Sequence, residues 1–182
     1  MRAPETPMND DLRYPTGTWT RVVNLDAAGR AAMIASIAEV PAALAAAVAG
    51  LDEAKLDTPY RPDGWTPRQI VHHLADSHMN AFVRFKLGVT EDTPTIRPYD
   101  QKTWAETVDV RQAPVALSLS IIEGMHARWV RLLESLDESA FGRMIAHPEN
   151  GPMSLGDLLQ LYAWHGRHHT TQITRLRERM GW

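Results

Sequence analysis

The stretch Asp63-Gly64-Trp65-Thr66-Pro67-Arg68-Gln69-Ile70-Val71-His72-His73-Leu74-Ala75-Asp76-Ser77-His78-Met79-Asn80 decides the fold. Thr66 offers a side-chain oxygen to the unpaired N–H groups of a helix start. Pro67 suits the first helical position, where its missing N–H has no partner to lose. From there Ile70, Val71, Leu74, Ala81, Phe82 and Phe85 share one arc at helical spacing, which predicts an amphipathic helix running to about Val89. Two prolines and a glycine in Thr58-Pro59-Tyr60-Arg61-Pro62-Asp63-Gly64 make the residues before it a loop.

Three further helices flank this one. The segment from Asp26 to Gly50 carries Met33, Ile34, Ile37, Val40, Leu44 and Val48 every three or four residues, with Pro41 expected to kink it. The segment from Pro114 to Leu136 repeats through Leu117, Ile121, Met125, Arg128 and Leu132, with Trp129 beside them. Ser154, with Asp157 three residues on, resembles a capping box and opens a last helix reaching about Met180. Between the second and third helices lies a long loop, Thr90 to Asp100, followed by a short helix around Gln101 to Glu106; loops of that length in compact domains are often functional. No strand alternation and no internal repeat is evident. The expectation is an all-α single domain over residues 1–182, a four-helix bundle with residues 1–13 as a flexible N-terminal segment.

Composition narrows the function. Nineteen basic residues against 22 acidic ones leave no electrostatic excess for nucleic acid or an anionic membrane surface, so neither is an expected partner. The N-terminus lacks the apolar stretch of a signal peptide, and the longest apolar run, within Val40 to Leu51, falls short of the roughly 20 residues that span a bilayer. A cytoplasmic location is expected. There is no cysteine, which excludes disulfides, thiolate metal sites and a cysteine nucleophile. Any metal must be held by histidine or carboxylate.

Six of the eight histidines fall in two clusters, His72, His73 and His78 on the second helix and His165, His168 and His169 on the last. On a wheel advancing about 100° per residue, His165 and His169 lie in the arc of Leu158, Leu161, Tyr162, Ile173 and Leu176. His168 sits at its edge and Gln172 inside it. Imidazoles at i and i+4 can share one divalent ion, although the run His165-Gly166-Arg167-His168-His169 lacks the glutamate of a zincin. On the second helix His73, Ser77, Asn80 and Arg84 form one polar stripe beside the apolar arc, so His73 is the third candidate ligand, with Ser77, Asn80 and Arg84 continuing the wall of a pocket. His78 falls inside the apolar arc and reads, like His126 and His147, as a hydrogen-bonded structural histidine. Asp76 either orients an imidazole or faces solvent.

Several co-linear segments resemble the YfiT-like branch of the DinB superfamily. They are Leu56 through Gln69, Val71 through Asn80, Arg84-Phe85-Lys86, Thr90 through Asp100, Trp104-Ala105-Glu106, Trp164-His165, His168-His169 and Arg179-Met180-Gly181-Trp182. The similarity spans about Tyr14 to Trp182. It implies a DinB-type bundle binding one divalent metal, zinc or nickel, through His73, His165 and His169, and a homodimer. Some members carry a further histidine where this chain has Gln172. The resemblance also implies a metal-dependent hydrolase, within a wider superfamily that includes thiol S-transferases using bacillithiol or mycothiol.

Three protein ligands leave coordination positions open, the pattern of a catalytic site. The leading expectation is therefore a hydrolase using a metal-activated water on a small-molecule substrate, with Asn80 and Arg84 as substrate-binding donors. The alternatives are a metal-dependent S-transferase that takes a low-molecular-weight thiol of the bacillithiol type onto an electrophile, and a non-catalytic metal-binding protein.

Overall fold

The computed structural model describes residues 12–149 and 151–182. Apart from Leu12 and Arg13, the expected flexible segment 1–13 lies outside the described residues. Four long helices are present: α1 (Ala27–Val48), α3 (Pro67–Thr90), α6 (Val115–Glu134) and α7 (Leu155–Met180). Shorter ones are α2 (Glu53–Leu56), α4 (Gln101–Trp104) and α5 (Val108–Gln112), with a 3-10 turn at Ser139–Gly142. Both α1 and α3 pack against α6 and α7, so the first two long helices lie diagonally across the bundle. The fold is a four-helix bundle, as the periodicity predicts.

The start of α3 forms as its sequence dictates. Thr66 Oγ1 accepts from the Gln69 N–H at 3.2 Å, Gln69 Oε1 accepts from the Thr66 N–H at 3.0 Å, and Pro67 opens the first turn. In the same turn, the buried Arg68 donates to Asp57 (2.7 Å), to Glu53 and to the Ala113 carbonyl (3.2 Å), tying α2 and the entry to α6 to the same helix. His72 continues that seam, with Nε2 3.2 Å from the Ala113 carbonyl and Nδ1 2.7 Å from Ser118 Oγ. At α7, Ser154 and Asp157 close a capping box in which Asp takes the usual glutamate's role.

Two readings of the sequence are corrected. In α6 the buried positions are Ser118, Ile122, His126, Trp129 and Leu133, one residue on from the expected stripe, and Leu117 and Ile121 are exposed. Ser118 and His126 are polar, so hydrophobicity alone selects the wrong face; they are buried because each has a hydrogen-bond partner on another helix. The polar connection before α7 also holds a hairpin, β1 (Met144–His147) with β2 (Gly151–Ser154), in register Met144↔Ser154 to His147↔Gly151. Strands of four residues carrying Pro152 and Gly151 give no alternation to read. Strand β1 also holds the long loop: Ile96 N–H donates to the Ala146 carbonyl, and Ala146 N–H donates to that of Pro94, each at 3.0 Å.

Helix α1 is alanine-rich and, at 22 residues, long and apolar enough to cross a membrane by length and composition, more than the expected Val40–Leu51 run. Here Ile37, Val40, Leu44, Ala47 and Val48 face the bundle. It comes close to α7 at Gly166, where an added Cβ would lie 2.5 Å from Val40 Cγ2 and 3.3 Å from His78 Cε1. Gly124 in α6 has nothing within 4 Å of the same position. Gly166→Ala is expected to destabilise the fold by about 1–3 kcal/mol through overpacking. Gly124→Ala should stabilise it by about 0.5–1 kcal/mol through helix propensity. Urea unfolding of both variants checks the contrast, and equal effects would refute the close approach at Gly166.

Candidate metal centre

Helix α7 presents His165 and His169 one turn apart, and α3 presents His73 opposite them. One nitrogen from each of the three rings lies within 4.8 Å of the others. His73 Nε2 and His165 Nε2 are 3.2 Å apart. Two nitrogens bound to one tetrahedral ion at about 2.0–2.1 Å would be separated by roughly 3.3 Å, so the spacing fits a shared ion. The donor set is three neutral imidazoles, which suits zinc, nickel, copper or iron.

Burial keeps these rings neutral. Desolvation pushes His73 down to about 3, and His165 and His169 well below their ordinary value near 6.5. A lone pair is therefore available at neutral pH without displacing a proton. On His169 the bare nitrogen can be deduced. Gln172 Nε2 lies 2.9 Å from the Arg13 carbonyl, which only accepts, so the amide nitrogen faces Arg13 and Oε1 faces His169 Nδ1 at 2.8 Å. The Nδ1 carries the proton, and Nε2 is free for a metal. Gln172 thus orients a candidate ligand. The Gln172 amide also reaches His168 Nε2 at 3.0 Å, and the His168 ring, 4.9 Å from that of His169, stacks on Trp164 with centroids 4.4 Å apart.

Trp65, at the mouth of α3, packs against His73 and His169 with centroids 4.6 and 5.9 Å away, forming an aromatic wall. Gly64 lets the chain turn there: an added Cβ would come within 2.7 Å of Arg61 Cγ and 3.1 Å of the Arg61 carbonyl. Residues 13–22 run along α7. Arg13 binds Gln172, the Gly17 carbonyl accepts from Trp164 Nε1 at 3.1 Å, and Val22 pairs with the Gln160 amide. Sequence periodicity gives no hint of this strap, because it has no helix or strand repeat and is held largely by backbone groups pairing with side chains of α7.

Two cavities of about 690 Å³ each meet at His165, Gln101 and Lys102. One lies against Ser77, Arg84, Tyr99 and Tyr162, the other against Tyr14, Trp65 and Trp164. Arg84 is buried, and it donates to Tyr162 Oη (3.1 Å) and to the Arg97 carbonyl (3.2 Å). Burial raises Tyr99 to about 12 and pushes Tyr162 up as well, so both phenols stay protonated donors. Asn80 does not line either cavity; its amide donates to the Asp76 carbonyl within α3. Asp76 is half-buried, with no hydrogen bond to an imidazole among the described residues, and burial raises its carboxyl to about 6. His78 reaches one of the three converging histidines, its Nε2 lying 3.2 Å from His165 Nδ1.

The fold and these three converging imidazoles define a helical bundle with a candidate histidine metal site. The chain matches the DinB superfamily over residues 36–173 and belongs to it. It is 51% identical over 175 residues to a protein of Geobacillus thermodenitrificans named "Putative metal-dependent hydrolase", covering 95% of this chain and 98% of that one. A Bacillus mycoides protein of the same designation is 49% identical over 172 residues, covering 94% of this chain and 99% of that one. The solved structure of YfiT from Bacillus subtilis superposes with a TM-score of 0.92 at 45% identity, covering 94% of this chain and 99% of that one; YfiT is described as "a probable metal-dependent hydrolase with an unusual four-helix bundle topology".

The neutral histidines make stability depend on pH with a definite sign. His73, His78, His126, His165, His168 and His169 titrate near 6.5 when unfolded and lower when folded, so the unfolded chain binds more protons below about 6.5. Metal-free protein should therefore lose stability as the pH falls from 6.5 toward 4, by up to about 1.4 kcal/mol per pH unit for each such histidine. Urea midpoints across that range measure it; a flat profile would contradict neutral burial.

Proposed function

We propose that this protein is a metal-dependent hydrolase of small molecules, with one divalent ion, zinc or nickel, held by His73, His165 and His169. The observation that carries the reading is the convergence of three neutral imidazoles, one of which, His165, lines both cavities. A divalent ion in such a site supplies Lewis acidity and lowers the pKa of bound water toward neutrality. The chain's own groups do the rest. The Nδ1–H of His169 is fixed by Gln172, Trp65 shields the imidazoles on one side, and the Tyr99 and Tyr162 phenols provide donors toward a substrate oxygen.

Arg84 supports an anionic substrate. A guanidinium has five N–H donors, and two are used here on uncharged oxygens. No carboxylate forms an ion pair with it among the described residues. A buried cation with spare donors facing a cavity suits a carboxylate, which can bind it in two-pronged fashion. The loop carrying Tyr99, held to Arg84 through the Arg97 carbonyl and to β1, covers that cavity.

A second reading, transfer of a low-molecular-weight thiol to an electrophile, is favoured by the paired cavities, which give two co-substrates separate approaches to one centre. With no cysteine in the chain, the thiol would have to be a substrate.

Zinc- or nickel-loaded protein assayed with nitrophenyl esters, and with thiol and electrophile pairs, separates the two. Hydrolysis without thiol supports the first reading, and turnover only with thiol the second. His73→Ala, His165→Ala and His169→Ala should each remove most of the bound metal and lower the rate at least 100-fold. Arg84→Met should raise KM more than tenfold for the hemisuccinate ester of nitrophenol while leaving the neutral butyrate ester nearly unchanged. Full activity in the absence of metal would refute both readings.

A further inference from the structure

Pro41 lies inside α1 and has no N–H, so the carbonyl four residues earlier, that of Ile37, loses its helical partner. Ile37 is fully buried, and an unpaired carbonyl there would be costly. His126 of α6 supplies the missing donor, its Nδ1 lying 2.8 Å from the Ile37 oxygen. A carbonyl can only accept, so His126 carries its proton on Nδ1. In a neutral ring Nε2 is then bare.

That assignment propagates. His126 Nε2 lies 2.8 Å from His78 Nδ1, so His78 must donate from Nδ1 and is bare at Nε2. His78 Nε2 lies 3.2 Å from His165 Nδ1, so His165 must also donate from Nδ1. Its remaining nitrogen, Nε2, is the one 3.2 Å from His73 Nε2. The rings pack edge-on against Trp129 and Tyr162, which fixes their orientation.

We propose that Pro41, the Ile37 carbonyl, His126 and His78 form a tautomer-setting chain that holds the lone pair of His165 on Nε2, aimed at the metal position. His78 and His126 are positioning residues, acting on the ion only through His165. The proposal rests on the three-histidine reading for its consequence, but the tautomers follow from hydrogen bonding and hold without metal. It extends to α1 and α6 a site whose ligands lie on α3 and α7, and it gives the buried carbonyl that Pro41 leaves without a helical partner a donor.

Long-range proton–nitrogen NMR correlation of nitrogen-15-labelled protein, metal-free and zinc-loaded, reads each tautomer directly. Protons on Nδ1 of His126, His78 and His165 in both states are expected; a proton on Nε2 of His78 or His165 would overturn the proposal. Zinc affinity, measured against a competing chelator, gives the functional readout. His78→Leu should weaken zinc 10- to 100-fold, in the range typical for loss of a ligand's outer hydrogen bond, and His78→Gln, whose amide oxygen can accept from His165, should recover most of it. Folded His78→Leu protein binding zinc as tightly as the parent would reduce the chain to core packing and overturn its role; if His78→Leu does not fold, the NMR result on the parent decides. Failure of the three-histidine reading would show separately, as zinc binding unaffected by His165→Ala and His169→Ala.

Discussion

Six imidazoles, those of His73, His78, His126, His165, His168 and His169, occupy one layer of the bundle with no carboxylate perturbing any of them. Charge cannot be stored there, so every ring is neutral and has one donor and one acceptor nitrogen. The surrounding structure decides which is which. Carbonyls of Ile37 and Arg13, which only accept, begin the two sequences of hydrogen bonds that reach His165 and His169. What looks like a metal site on two helices therefore draws on α1, α6 and the strap of residues 13–22.

The same constraint explains the packing around the site. Gly166 is needed because Val40 of α1 and His78 of α3 both come against α7 at that position. Ser118 and His126 take core positions in α6 because His72 and the Ile37 carbonyl require partners there. Trp65 and Trp164 provide apolar surface against imidazoles that would otherwise face water and protonate. The cleft opens beside His165, where tyrosine phenols and the Arg84 guanidinium replace the apolar lining.

Much of this was legible in the sequence, for physical reasons that differ between residues. The bundle follows from periodicity and from caps such as Thr66 and Ser154, whose partners are local. His165 and His169 were visible because the i, i+4 spacing places both on one face, and His73 because a polar stripe borders an apolar arc. The register of α6 was misread because its buried face includes a serine and a histidine, and the hairpin at 144–154 because its strands are too short to alternate. Gln172 lay in the right arc, but its role depends on the Arg13 carbonyl, 159 residues away. Asn80 shared the stripe of His73 yet turned back to its own helix. His78 lies in the apolar arc and reads as structural; its contact with His165 depends on how α3 packs against α7.

The central claim is that one ion sits among His73, His165 and His169, bound through the Nε2 atom of each. Anomalous diffraction from zinc- or nickel-loaded crystals, collected on both sides of the metal edge, tests it most directly. The account predicts one strong peak about 2.0–2.1 Å from each of the three Nε2 atoms, with further positions open to water. A peak on Nδ1 atoms, a peak held by other residues, or no peak in protein shown to contain the metal would contradict it.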